Sequence, residues 1–349
     1  MVRGSSPKTN ITKLGLALLI LLAPVSLVSA KGEQSFFFQG LHSTGEGMRY
    51  CYEDQHGFMS ITGIPYEDLD CKNCHVNSCD PCHAEKKGDT HSYSNAKVKQ
   101  METCLPCHSR EGLTIRLGKK KGTPDVHVAR GMACADCHKG QDVHGDGKFY
   151  HSMREPDAVK VACITCHTVD QTIDAHTVHG DKVDCAACHV ENTVACLNCH
   201  FDTFLETKSR KGTFFPMQDW LLLINYEGKV TSGTAMSLVY QNKKFIVYAP
   251  YYTHAVQSKG RECSDCHDNA AMKLIKQGKQ IPMAQFENGN MIGWKGVAPV
   301  TPASLKWVYL NKDGDQWRPI ETSAPAKIHW WWGTPLSEEQ LEKLATSYE

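Results

Sequence analysis

A five-residue motif, Cys-x-x-Cys-His, recurs eight times in this chain of 349 residues and constrains its fold more than any other feature. Residues three apart on a helical turn share one face, so each motif can present two thiols side by side. The paired cysteines are Cys71 and Cys74, Cys79 and Cys82, Cys104 and Cys107, Cys134 and Cys137, Cys163 and Cys166, Cys185 and Cys188, Cys196 and Cys199, and Cys263 and Cys266. The histidines that follow them are His75, His83, His108, His138, His167, His189, His200 and His267.

This repeated pattern indicates covalent haem attachment. Zinc ribbons also use Cys-x-x-Cys pairs but do not require a histidine after each pair. A thioredoxin-like site needs one such pair on a βαβ scaffold, and ferredoxins space their cysteines differently. In a c-type site the two thiols form thioethers with the haem vinyl groups, and the histidine is the proximal iron ligand. The sequence therefore predicts eight covalently bound c-type haems, each with its iron, as cofactors.

Ten further histidines lie outside the motifs, enough to give every iron a second axial ligand. An iron with two histidine ligands offers no open position to a substrate, so this surplus favours electron transfer. His151 and His329 are weaker candidates for the distal position. The preferred distal ligands are His42, His56, His91, His127, His144, His176, His179 and His254.

Cys51 is the one cysteine outside the motifs. Three interpretations stay open: a small buried hydrophobic residue, a redox or sulfur-handling thiol near an open haem, or half of an intermolecular disulfide. Cys51 is therefore a weak catalytic candidate.

The first 30 residues have the pattern of a cleaved signal peptide. Arg3, Lys8 and Lys13 precede an apolar run from Leu14 to Val28, and residues 28–30 form a small-residue cleavage site. A run of that length is short for a membrane span, so a retained anchor is the weaker alternative. We expect an exported, periplasmic or extracellular protein whose mature chain has no transmembrane segment. The net charge of zero argues against nucleic-acid binding.

The amino-acid composition changes near residue 200, and all seven tryptophans lie after it. We expect a multihaem domain over residues 31–206, with haems 1–7, and a region over residues 207–349 with β-hairpins, haem 8 and a terminal helix capped by Ser337 and Gln340. The predicted fold is a mainly α and irregular multihaem cytochrome c fold organised around eight covalent haems, with a C-terminal region that contains β-hairpins. The expected strands are Trp220–Tyr226, Met236–Tyr240, Phe245–Ala249, Leu305–Leu310 and Gln316–Ile320.

The motifs make the chain resemble multihaem c-type cytochromes. The stretch from His127 to Gly147 has a histidine before its motif and a His-Gly after it, and it resembles segments of octahaem tetrathionate reductase and hydroxylamine oxidoreductase. In those families most haems are bis-histidine and one is open for chemistry. The chain departs from them in its shorter length and in having no Cys-x-x-Cys-Lys motif.

Three functional hypotheses follow. The leading one is an exported electron carrier whose partners are redox proteins, either cytochromes or quinol-linked donors. The first alternative is an oxidoreductase that acts at an open haem on tetrathionate, nitrite or hydroxylamine, with Cys51, Tyr50 or a lysine in the pocket. The second is a self-associating subunit of an extracellular filament or conduit.

Overall fold

The computed structural model describes residues 36–69, 76–88, 90–320 and 322–346. The expected signal peptide and the first motif, Cys71 to His75, lie outside the described residues. Within these ranges no helix is long and apolar enough to cross a membrane.

Short helices separated by irregular turns make up most of residues 36–192. A small antiparallel hairpin of β1 (Ala84–Lys87) and β2 (Thr90–Tyr93) interrupts them, in a region where the sequence indicated no sheet. The helices are α1 (Leu41–Thr44), α2 (Glu46–Glu53), α3 (Met59–Thr62), α4 (Asp80–His83), α5 (Met101–Cys104), α6 (Ser109–Lys121), α7 (Val126–Ala129), α8 (Cys134–Cys137), α9 (Gly140–His144), α10 (Asp174–His179) and α11 (Cys185–His189). Single 3₁₀ turns occur at Phe37–Gln39, Tyr66–Asp68, Lys97–Lys99 and Cys163–Thr165.

The second part of the chain is rich in strands. Its helices are α12 (Phe201–Thr207), α13 (Ala270–Lys276) and α14 (Glu338–Ala345), with 3₁₀ turns at Cys263–Asp265 and Pro302–Ser304. The strands are β3 (Thr193–Leu197), β4 (Cys199–His200), β5 (Phe215–Tyr226), β6 (Lys229–Tyr240), β7 (Lys243–Pro250), β8 (Ile281–Pro282), β9 (Ala284–Glu287), β10 (Asn290–Gly293), β11 (Gly296–Pro299), β12 (Leu305–Lys306), β13 (Leu310–Asp313), β14 (Gln316–Pro319) and β15 (Lys327–Trp330).

A seven-stranded sheet organises this part, with the order β11-β5-β6-β7-β15. The two edge strands run parallel to their neighbours, whereas β5, β6 and β7 form an antiparallel meander. Strand β3 pairs with β5, and β4 pairs with β6. The boundary expected at residue 206 falls inside α12, and strands on both sides of it belong to this sheet.

Tight turns join the meander. Gln241 and Asn242 between β6 and β7 both have positive φ, +46° and +61°, as a two-residue hairpin turn of the primed type requires. The hairpin predicted for this region is confirmed, with a turn two residues shorter than expected. The second predicted hairpin needs correction, because its first strand is Leu310–Asp313 rather than Leu305–Leu310.

Strand β5 separates two apolar clusters, since its side chains alternate between the faces of the sheet. Trp220, Leu222 and Ile224 pack on one face with Ile246 and Tyr248. Leu221 and Leu223 pack on the other face against Ala186 and Ala187 of α11, Met272 of α13 and Leu344 of α14. The sixth motif, on α11, is thereby anchored to the sheet. The capping box predicted for Ser337 and Gln340 at the start of α14 is confirmed.

Candidate functional site

Motif histidines face histidines from elsewhere in the chain. Within the part of the chain that the structure describes, six such pairs have ring centres between 5.9 and 6.3 Å apart. Each pair joins one motif histidine to one of the predicted distal candidates. The pairs are His83–His144, His108–His42, His138–His254, His167–His127, His189–His176 and His267–His179.

The spacing of the rings fits one iron between them. A bond from a metal to an imidazole nitrogen is about 2.0 Å long and the ring centre lies about 1.2 Å beyond that nitrogen, so two axial imidazoles have centres about 6.4 Å apart. Ordinary aromatic pairs also occur near this distance. The systematic pairing of motif with non-motif histidines distinguishes these six pairs from ordinary packing. The residues therefore fit a bis-histidine iron at six motifs.

The hydrogen bonds of these imidazoles also suit metal ligation. A histidine that binds a metal through Nε2 usually donates its Nδ1–H to a carbonyl or carboxylate, which fixes the tautomer. Carbonyl oxygens lie 3.2 Å from Nδ1 of His83, 3.0 Å from that of His189, 2.8 Å from that of His176 and 2.9 Å from that of His179. In five of the six pairs, at least one imidazole has its Nδ1 next to a carbonyl or carboxylate oxygen.

The backbone of these motifs adopts the expected turn. In five motifs the N–H of the histidine donates to the carbonyl of the first cysteine at 2.9–3.0 Å, for His83, His108, His138, His167 and His267. In a sixth motif, Cys185–His189 is itself a helix. One turn of helix brings both thiols to the same face, as attachment to one porphyrin edge requires.

Successive motifs are neighbours in space. The Cys104 thiol of the third motif and the Cys134 thiol of the fourth lie close enough together to shift each other's pKa, in opposite directions. Thiols of other motifs are also close enough to interact electrostatically, and together these contacts form a row that runs through motifs 2, 3, 4, 5, 6 and 8. The contacts are Cys82 with Cys107, Cys137 with Cys166, Cys163 with Cys185, and Cys188 with both Cys263 and Cys266.

Apolar side chains are exposed around these pairs. Most of the exposed large hydrophobic residues precede residue 180, including Phe38, Ile164 and Val178 at 74%, 69% and 78% exposure. Ile164 lies within the fifth motif, and Val178 lies between His176 and His179, so both are exposed next to a predicted iron ligand. A porphyrin ring, which is large and apolar, would cover side chains in such positions.

A carboxylate that sequence reasoning missed supports one of the pairs. Glu111 on α6 accepts a hydrogen bond from Nδ1 of His254 at 2.8 Å and another from the Tyr251 hydroxyl. Burial alone would raise the pKa of Glu111, but these two hydrogen bonds and the nearby Arg110 lower it to about 2. The Arg110 guanidinium lies 3.8 Å from the centre of the Tyr251 ring. No motif marks Glu111, because its partners come from distant segments.

Other candidates occupy different settings. His56 is exposed and hydrogen-bonded to Gln55, and His91 is exposed on β2; neither faces a motif histidine among the described residues. Cys51 is half-buried, and desolvation of its thiol together with the nearby Asp54 raises the pKa of that thiol to about 12. His151 lies 3.0 Å from a carboxylate oxygen of Glu46.

The seventh motif differs from the others described. Cys196 lies in β3 and Cys199 and His200 form β4, so this motif is part of the large sheet. His200 is 5% exposed and hydrogen-bonds through both ring nitrogens, to Thr203 and to Asn311. Among the described residues, the ring that faces His200 is that of Trp317, with its centre 6.1 Å from that of His200.

Comparison with known proteins gives one informative similarity. The chain is 25% identical over 169 residues to a cytochrome c-type protein, NrfB, of Haemophilus influenzae, and this alignment covers 44% of the chain and 64% of that relative. No family model matches, and no solved structure matches. The chain thus spans less than two thirds of the relative's length, and the similarity supports a multihaem c-type cytochrome family at a coarse level.

Proposed function

We propose that this protein is an exported multihaem c-type cytochrome that carries electrons along a row of bis-histidine haems, with a fold organised around them. The observation that carries the proposal is the set of six imidazole pairs, each made of one motif histidine and one distal histidine. The similarity to a cytochrome c-type protein supports it independently. Export rests on the leader sequence in residues 1–30.

The chain's residues have distinct tasks in this proposal. The paired cysteines of a motif would hold the haem through thioether bonds, and the paired imidazoles would ligate its iron. Carbonyl groups and carboxylates such as Glu111 orient the imidazoles through Nδ1. A bound c-type haem supplies one-electron redox chemistry.

The row of neighbouring motifs favours electron transfer over catalysis. Motifs 2 to 6 and motif 8 follow one another with their thiols close together, so sites for one-electron chemistry lie side by side along the protein. We propose that redox proteins donate and accept electrons at the two ends of this row.

Carbon monoxide binding tests the proposal. The protein is produced in a host that matures c-type cytochromes, reduced with dithionite and titrated with carbon monoxide while the Soret band is followed. We expect no stoichiometric binding, because in this proposal histidine would occupy both axial positions of each haem iron. Binding of one carbon monoxide per chain would refute a pure carrier and favour the oxidoreductase alternative.

A matched pair of variants locates the ligands. His144→Ala removes the imidazole opposite His83 and should create one site that binds carbon monoxide. His151 lies beside Glu46 and does not belong to any of the six pairs, so the control variant His151→Gln should still bind no carbon monoxide. If both variants behave alike, the pairing of His83 with His144 is not an axial ligand pair.

A further inference from the structure

The seventh motif has the attachment sequence but not the attachment conformation. In the five motifs compared above, the N–H of the histidine bonds to the carbonyl of the first cysteine. The N–H of His200 instead donates to the carbonyl of Thr213 at 2.7 Å, in a different segment. Asn198 has a left-handed φ of +56°, and extended strands flank it. Cys196 and Cys199 therefore do not lie on one helical turn.

The tautomer of His200 is the reverse of the one that a haem ligand needs. His200 is the N-cap residue of α12, and its Nδ1 accepts a hydrogen bond from the backbone N–H of Thr203 at 3.3 Å. The lone pair is thus on Nδ1 and the proton on Nε2, which donates to Oδ1 of Asn311 at 2.7 Å. Two axial ligand atoms on one iron are about 4 Å apart, so a gap of 2.7 Å between Nε2 and Oδ1 does not admit an iron.

The two middle residues of the seventh motif, Leu197 and Asn198, are buried in the core. Leu197 and Asn198 are 1% and 0% exposed. The Asn198 amide bonds to both backbone groups of Leu310, at 2.9 and 2.6 Å, and its backbone N–H donates to Ser237 at 2.8 Å. By contrast, the fifth motif, Cys163 to His167, is exposed along its whole length. A haem at the seventh motif would require these buried bonds to break.

We infer that the seventh Cys-x-x-Cys-His motif attaches no haem, so that Cys196 and Cys199 form no thioether bonds, and that the segment instead connects the pairing on strand β5 to the pairing on strand β6. This inference rests on the proposed function. The row of haem sites then passes from the sixth motif directly to the eighth, whose cysteines neighbour Cys188.

Peptide mapping tests the inference on the intact mature protein. The purified cytochrome is denatured, reduced, alkylated with iodoacetamide and digested with trypsin and a glutamyl endopeptidase, because Glu191 but no Lys or Arg separates the sixth motif from the seventh. Haem-bearing peptides are identified by mass. The peptide with Cys196 and Cys199 should carry two alkyl groups and no haem, while the peptides of motifs 2 to 6 and 8 carry haem. Haem on Cys196 and Cys199 at the occupancy of the other motifs would overturn the inference and leave the proposed function intact. Haem on no peptide would refute the proposed function and this inference with it.

A pair of double variants gives a second test. Cys196→Ser with Cys199→Ser should leave the haem content per chain, measured as the pyridine haemochrome, unchanged. The matched control, Cys163→Ser with Cys166→Ser in the exposed fifth motif, should lose one haem per chain. Loss of one haem in both variants would overturn the inference.

Discussion

Replacement of Glu111 by glutamine removes the negative charge that faces the His138–His254 pair while keeping the shape of the side chain. A carboxylate stabilises the more positive ferric iron, so its removal should raise the reduction potential of the haem held by these two histidines. In the present structure the carboxylate is held ionised, because its hydrogen bonds and the nearby Arg110 lower its pKa to about 2.

The size of the shift follows from geometry. The Glu111 oxygen is 2.8 Å from Nδ1 of His254, and the ring centres of the pair are 6.3 Å apart. The midpoint between the rings is then about 7 Å from the carboxylate, and at an effective dielectric constant of about 20 the interaction is about 2 kcal/mol. Since about 1.4 kcal/mol corresponds to 59 mV for one electron, the expected rise is on the order of 100 mV.

A spectroelectrochemical titration measures this change in a single haem of the set. Glu111→Gln should shift one component of the redox curve upward and move the EPR g-values of one low-spin signal. Glu206→Gln, an exposed change of the same charge on α12, should leave the curve unaltered. A wild-type curve for the Glu111 variant would show that this carboxylate does not act on an iron ligand.

Three further predictions concern other parts of the chain. His42→Ala removes the ligand opposite His108 and should convert one haem to high spin by EPR; a fully low-spin variant would contradict the pairing. Because burial raises the pKa of Cys51 to about 12, its thiolate fraction at pH 8 is about 10⁻⁴, and native alkylation should be slow and rise about tenfold per pH unit. Rapid labelling at pH 8, followed by mass, would contradict the burial of that thiol. Leu222→Ala removes a fully buried side chain and leaves a cavity, so it should lower the free energy of unfolding by about 2–5 kcal/mol in a denaturant titration. An unchanged midpoint of that titration would contradict the described core.

The sequence identified the chemistry of the sites but not their pairing. The count of histidines outside the motifs gave His42 and His179 as candidate distal ligands. Only the fold shows that His179 faces the motif histidine His267 rather than a motif histidine closer to it in sequence. Such pairs depend on how distant loops pack, and no local pattern carries that information.

The sheet could be predicted in its most regular part. The β-branched and aromatic runs around Gln241 and Asn242 defined the β6–β7 hairpin, because their composition suits a pleated, buried surface. Strand β1 was missed since Ala84–Lys87 shows no alternation of apolar and polar residues. The seventh motif illustrates the opposite case, in which tertiary hydrogen bonds to Asn198 and His200 override a local attachment pattern.

Low-temperature EPR of the fully oxidised protein, integrated per haem, tests the central claim most directly. Six pairs of facing imidazoles predict at least six low-spin ferric haems per chain, with no more than a trace of high-spin signal. A protein whose haems are largely high-spin would contradict the assignment of these pairs as axial ligands, and with it the proposal of an electron carrier.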